Sequence, residues 1–137
     1  MKPWPEINAF AKTAYEDRTD KAGDLLYNHA CRVAVMCNMS LSHMAVALLH
    51  DVIEDTDAAY RHVERVLGTD LANRVHILTR SRHDSYMQYI DKVCKDPMCR
   101  IVKMGDIADH LDPIRIMNLN ESMVRRYHTA SERLTRP

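Results

Sequence analysis

The sequence predicts an all-α protein, a single compact bundle of about six to eight helices, and three observations carry that prediction. Glycine is scarce, at three among 137 residues. Apolar residues recur at helical spacing rather than in alternation. Nine methionines supply residues that favour helices and fill irregular gaps in a core. A chain of this length can bury a real core without staples, and residues 1–137 read as one domain with no linker, repeat or low-complexity tract.

The elements follow in order. A first helix is expected from Glu6 to Asp17, ending at the polar run Arg18-Thr19-Asp20-Lys21-Ala22-Gly23. A second spans Asp24 to about Asn38, with Leu25, Leu26, His29, Val33, Met36 and Cys37 near one face. Ser40 or Ser42 can cap a third, His43 to Ile53, which is apolar on most sides and therefore central. Asp57 is the expected cap of Ala58 to Leu67, and Gly68 ends that helix. Thr69 or Asp70 opens the next, with Leu71, Val75 and Leu78 at helical spacing up to Thr79. Asp84 to Lys95 follows. Asp96-Pro97 then starts Met98 to Leu111, since proline is tolerated in a first helical turn. Asp112-Pro113 breaks the chain, and Asn120 can cap Glu121 to Leu134.

Composition narrows the function classes. The 19 basic and 19 acidic residues balance, so no overall field draws the protein to nucleic acid or membrane. Cys31, Cys37, Cys94 and Cys99 match neither a zinc ribbon nor a secreted disulfide framework and read as reduced thiols. The first residues lack the apolar run of a signal peptide and no stretch approaches membrane-spanning length. A cytoplasmic location is expected.

The informative stretch is His50-Asp51-Val52-Ile53-Glu54-Asp55-Thr56, at the end of the apolar third helix. Helical register would set His50 over Glu54 at i+4 and Asp51 over Glu54 at i+3. One imidazole and three carboxylates then crowd together beside a buried run, where clustered negative charge is costly unless compensated. A divalent cation would offset it, and mixed imidazole and carboxylate ligation suits manganese, iron or zinc rather than calcium. His29 stands in the preceding helix and Asp106 downstream in Lys103-Met104-Gly105-Asp106. Alone, His29 would more often be a packed helix histidine, and Asp106 a helix cap.

The order His29, His50-Asp51, Asp106 resembles the metal-binding pattern of the HD superfamily of phosphohydrolases. The likeness extends to the hydrolase domains of the Rel/SpoT alarmone enzymes and their small stand-alone relatives. His50 to Thr56 is similar to their His-Asp-x-x-Glu-Asp-Thr, and Lys21-Ala22-Gly23-Asp24 to a loop eight residues before the first histidine. Leu78-Thr79-Arg80 and Lys103-Met104-Gly105-Asp106 look like two further family motifs, so the resemblance covers roughly residues 20 to 112. Two positions depart from it: His110 stands where asparagine is usual, and Asp20 where arginine often precedes the loop lysine.

The resemblance implies an HD-domain bundle in which His29, His50, Asp51 and Asp106 bind one metal, with manganese preferred. Glu54 and Asp55 would position and deprotonate the attacking water, while Lys21, Lys103 and His110 would contact a nucleotide. The implied reaction is hydrolysis of a nucleotide phosphate ester or pyrophosphate, foremost loss of pyrophosphate from the 3′ position of (p)ppGpp. A nucleotidase or phosphodiesterase for another nucleotide, or a non-catalytic metal- or nucleotide-binding regulator, is the alternative. Retention of Glu54 and Asp55 speaks against the regulator, and zero net charge against a nucleic-acid module. Oligomeric state is left open. His43, His62, His76, His83 and His128 read as surface or packing residues; Arg80-Ser81-Arg82-His83 and Arg125-Arg126 could reach a polyphosphate but read as a solvated face outside the site. Tyr86 and Tyr89 suit base stacking and core packing equally.

Overall fold

A computed structural model describes residues 1–136. Its helical segments are α1 (Trp4–Ala14), α2 (Leu26–Met36), α3 (Leu41–Leu49), α4 (Val52–Asp55), α5 (Tyr60–Leu67), α6 (Thr69–Ile77), α7 (Tyr86–Val93), α8 (Pro97–His110), α9 (Pro113–Ile116) and α10 (Glu121–Thr135). Eight have at least eight residues, and α4 and α9 are single turns of four. Among the described residues there is no strand, only an isolated bridge between Thr19 and Leu25. No described helix is long and apolar enough to cross a membrane.

Helix α3 has no polar stripe, so burial on every side is its favourable state. Ala45 to Leu49 are all buried, with α1, α2, α6 and α8 packed around them. Ile7, Ala11 and Tyr15 form the buried stripe of α1 at i, i+4 and i+8. The Tyr15 hydroxyl donates to the Leu48 carbonyl at 2.8 Å and ties α1 to the core. Helices α5 and α6 form a hairpin hinged at Gly68, whose φ of 83° lies in the region that only glycine enters cheaply. Gly105 has a different use. A Cβ there would lie 3.3 Å from Cys37 Sγ and 3.4 Å from Val33 Cγ1, so the bare backbone lets α8 lie close against α2.

Local signals agree with several expected helix starts. Ser40 accepts from His43 N, Asp96 from Cys99 N and Asn120 from Met123 N. The segment expected from Asp84 starts instead at Ser85, which exchanges hydrogen bonds with Gln88 in a capping box. Three expectations fail. The helix expected over His43 to Ile53 is broken: α3 ends at Leu49, Asp51 takes φ −99° and ψ 0°, and α4 begins at Val52. Asp57 caps nothing; it pairs with Arg18 at 3.0 Å, while His62 Nδ1 accepts from Ala59 N at the start of α5. The break at Asp112-Pro113 contains an extra turn, α9, capped by Asp112.

Candidate active site

Four elements deliver one cluster. His29 projects from α2, His50 from the end of α3, Asp51 from the α3–α4 break and Asp106 from the middle of α8. The chain turns at His50-Asp51, which sends both side chains toward His29 and Asp106. Glu54 and Asp55 thus owe their position to the turn as well as to helical register. Asp106 is an interior helix residue, not a cap.

Donor atoms of the four residues all lie within 4.8 Å of one another. His29 Nε2 is 2.9 Å from Asp106 Oδ1 and 3.7 Å from Asp51 Oδ2. His50 Nε2 is 3.1 Å from Asp51 Oδ2 and 3.4 Å from Asp106 Oδ1. Donors about 2.1 Å from a shared centre, at tetrahedral or octahedral angles, are roughly 3.0–3.4 Å apart, so the set fits one divalent cation. Tautomers fit as well. His50 Nδ1 donates to the Ala47 carbonyl at 2.6 Å, and His50 Nε2 is buried with no hydrogen-bond partner. His29 Nδ1 is engaged by Asp109 Oδ2 at 2.7 Å, so its Nε2 faces the cluster.

Electrostatics support the same reading. Burial disfavours charge on His29, but hydrogen bonds to Asp106 and Asp109 outweigh it and raise the imidazole to about 9. His50 is likewise raised, by Asp51 and Asp106 against the cost of burial. Burial would push Asp106 upward, yet Lys103 and the histidines hold it well below the usual carboxylate range. Without metal, protons and a lysine carry the positive charge that the carboxylates require. Glu54 and Asp55 differ: burial and the neighbouring carboxylates raise both, Asp55 to about 6.

Above the cluster lies a cavity of about 420 Å³, within the range of small-molecule sites. All of the expected contact residues line it: Glu54, Asp55, Lys21, Lys103 and His110. Lys103 is mainly occupied in the protein itself, since its Nζ bonds Asp106 Oδ2 at 2.7 Å and lies 5.1 Å from the centre of the Tyr89 ring. Glu54 Oε1 accepts from Arg80 N at 2.7 Å and pins the segment after α6. His110 stacks between His29 and Tyr127.

Arg80 and Arg126, read as a solvated face, divide: Arg80 is exposed as expected, whereas Arg126 is half-buried. Both line the cavity and lie over the Tyr86 ring, at 5.7 and 4.5 Å. Arg125 keeps the expected role, in an exposed pair with Glu121. Tyr86 and Tyr89 both reach the cavity; Tyr89 is buried and donates to the Leu78 carbonyl. The residue that sequence reasoning passed over is Asp109. It is fully buried and accepts from His29 and Arg32, with Arg115 3.1 Å away. Its only sequence signal is a carboxylate at i+3 from Asp106 in an otherwise apolar stretch.

No family model matches the chain. Curated relatives do. A guanosine-3′,5′-bis(diphosphate) 3′-pyrophosphohydrolase of Drosophila melanogaster is 30% identical over 80% of this chain and 65% of its own length. The bifunctional (p)ppGpp synthase/hydrolase SpoT of Escherichia coli K12 is 38% identical over 70% of this chain. The chain spans only 16% of SpoT and 16% of a pyrophosphohydrolase of Aquifex aeolicus that is 26% identical. A solved structure, described as a metazoan orthologue of SpoT that hydrolyses ppGpp, superposes with a TM-score of 0.78 at 21% identity. That match covers 95% of this chain and 82% of the other, and it establishes the fold.

Proposed function

We propose that this chain, an all-α bundle resembling the hydrolase domain of the Rel/SpoT alarmone enzymes, is an HD-type metal-dependent nucleotide phosphohydrolase whose foremost substrate is (p)ppGpp. The observation that carries the reading is the layering of charge. A buried imidazole and carboxylate cluster lies at the floor of a cavity whose wall presents Arg18, Lys21, Arg80, Lys103 and Arg126. Cations on the wall suit a polyphosphate, and the floor suits a divalent metal.

His29, His50, Asp51 and Asp106 would hold the ion, with manganese the first candidate. A bound divalent cation supplies Lewis acidity toward a phosphoryl oxygen and makes water a better acid. The chain's own groups do the rest. Asp55, with no hydrogen bond holding its carboxylate, accepts the proton of the attacking water, and a base titrating near 6 is well matched to that task. Glu54 keeps one oxygen on Arg80 N and turns the other toward the same water. Arg80, Arg126 and Lys21 bind phosphate oxygens, while Tyr86 and Tyr127 offer aromatic faces to the base. Water adds to the phosphorus on the 3′ oxygen, that P–O bond breaks, and the proton taken from water passes to the departing 3′ oxygen, which becomes a hydroxyl as pyrophosphate is released.

A second reading, hydrolysis of a different nucleotide, rests on His110 and Asp20, which line the cavity where the family pattern has asparagine and arginine. Both readings are tested by incubating manganese-loaded protein with ppGpp, pppGpp and a panel of nucleotides and resolving the products by chromatography. Guanosine diphosphate and pyrophosphate from ppGpp are expected. Turnover of another nucleotide with ppGpp intact would move the assignment to the second reading, and no turnover of any would overturn both.

A further inference from the structure

Asp55 is placed by its main chain. Among the described residues nothing hydrogen-bonds its carboxylate, so whatever holds the end of α4 also aims that carboxylate. We propose that Arg18, aimed by Asp57, is a positioning residue that clamps the end of α4 and so sets Asp55 beside the metal cluster. The proposal rests on the hydrolase reading above and adds to it a residue that acts on turnover through Asp55.

The turn α4 cannot hold itself. Asp55 N donates to the Asp51 carbonyl at 2.9 Å, and the chain becomes extended at Thr56, with φ −134° and ψ 179°. A lone turn gains nothing from helical cooperativity, and its carbonyls need partners from outside it. Thr56 Oγ1 donates to the Val52 carbonyl, and Arg18 Nη1 donates to the Asp55 carbonyl at 3.3 Å. The other arm of the guanidinium, Nη2, bonds Asp57 Oδ2 at 3.0 Å, so the fork spans Thr56 and fixes the chain on both sides of it. Arg18 is itself anchored. Its N–H donates to the Tyr15 carbonyl at 3.0 Å and its carbonyl accepts from Leu26 N at 2.9 Å. Tyr15 in turn bonds Leu48 of the buried helix α3, so the clamp ties α4 to the core.

Arg18 also lines the catalytic cavity, where a cation can contact phosphate directly. Its fork, however, is already engaged by a carbonyl and a carboxylate, whereas Arg126 keeps a buried Nε with no partner. Asp57 separates the two roles, because it is fully exposed and lies outside that cavity. An exposed ion pair contributes little to stability, so loss of Asp57 should register in the placement of Asp55 rather than in unfolding.

The test is steady-state kinetics of manganese-loaded wild type, Arg18→Ala, Arg18→Lys, Asp57→Ala and the double alanine variant, on the nucleotide that wild type hydrolyses best. Arg18→Ala should lower kcat about 10- to 100-fold and leave KM within about twofold. Amide exchange at Asp55, whose N–H closes the turn, should quicken while urea unfolding stays unchanged. Arg18→Lys keeps the charge without the planar fork, so its kcat should remain severalfold below wild type. Asp57→Ala should cost about two- to threefold in kcat, and nothing further once Arg18 is gone. A loss confined to KM would make Arg18 a phosphate contact and overturn the proposal. Wild-type kcat in Arg18→Ala or Arg18→Lys, or an Asp57→Ala effect of the same size with and without Arg18, overturns it as well. Each of these outcomes leaves the hydrolase reading standing. No turnover by wild type on any nucleotide removes that reading, and the proposal falls with it.

Discussion

Asp109 Oδ2 lies 2.7 Å from His29 Nδ1, so a carboxylate with no exposed surface fixes the ring that opens the candidate metal cluster. The same carboxylate gathers Arg32 and Arg115, joining α2, α8 and the turn α9 at one point. Burial opposes its charge, but hydrogen bonds from His29 and Arg32 hold Asp109 far below the usual carboxylate range.

Asp109→Asn should therefore act on both metal and fold. It leaves Arg32 and Arg115 with only Asp24 and Asp112 as anions and allows the His29 ring the wrong tautomer. Metal affinity is expected to fall about 10- to 100-fold, and stability by about 2 kcal/mol. Metal titration followed by urea unfolding checks both, and unchanged affinity would show that His29 needs no orienting partner.

Asp55→Asn should leave fold and metal content intact, because the carboxylate makes no hydrogen bond, while kcat falls by about 10²- to 10⁴-fold. Glu54→Gln retains an acceptor for Arg80 N and should also lose turnover without loss of stability. Glu54→Ala would additionally free the segment after α6, visible as faster amide exchange near Arg80. Wild-type kcat in Asp55→Asn would reject the base assignment.

Metal uptake should release protons at pH 7. His29 titrates at about 9 and His50 is raised as well, so both imidazoles carry protons in metal-free protein and must shed them to ligate. Affinity then weakens as pH falls from 9 toward 6. The folded His29 value lies above the ordinary imidazole value of about 6.5, so its contribution to stability is complete below that pH and lost as pH rises through 9. The Tm of metal-free protein should fall across that window, and calorimetry in buffers of different ionisation enthalpy would count the protons released.

Arg126→Ala should raise KM for polyphosphorylated nucleotides about tenfold with little change in kcat. The Arg126 Nε is buried without a partner and its guanidinium rests on Tyr86, poised toward the cavity. A charge-assisted hydrogen bond to phosphate is worth about 1.5–3 kcal/mol. Steady-state kinetics against nucleotides with two to five phosphates would measure the loss, and an equal effect on all of them would point to packing rather than phosphate contact.

Helical periodicity, the capping residues Ser40, Asp96 and Asn120, and the order of His29, His50-Asp51 and Asp106 are local or pattern properties, and the sequence by itself determined them. Each depends on spacing along the chain, which survives without knowledge of neighbours. The break at His50-Asp51 was hidden because every residue from Ala45 to Ile53 accepts a helical conformation; tertiary packing decided where the helix turns. Asp109, Arg80 and Arg126 were illegible for a related reason. A carboxylate or guanidinium has the same signature in sequence whether it faces water or a buried partner 80 positions away. Only the close approach of α8 to α2, and of α10 to α7 and α8, turned Asp109 and Arg126 inward. Asp20 and His110 line one cavity for the same kind of reason, a loop and a helix end brought together by no spacing along the chain.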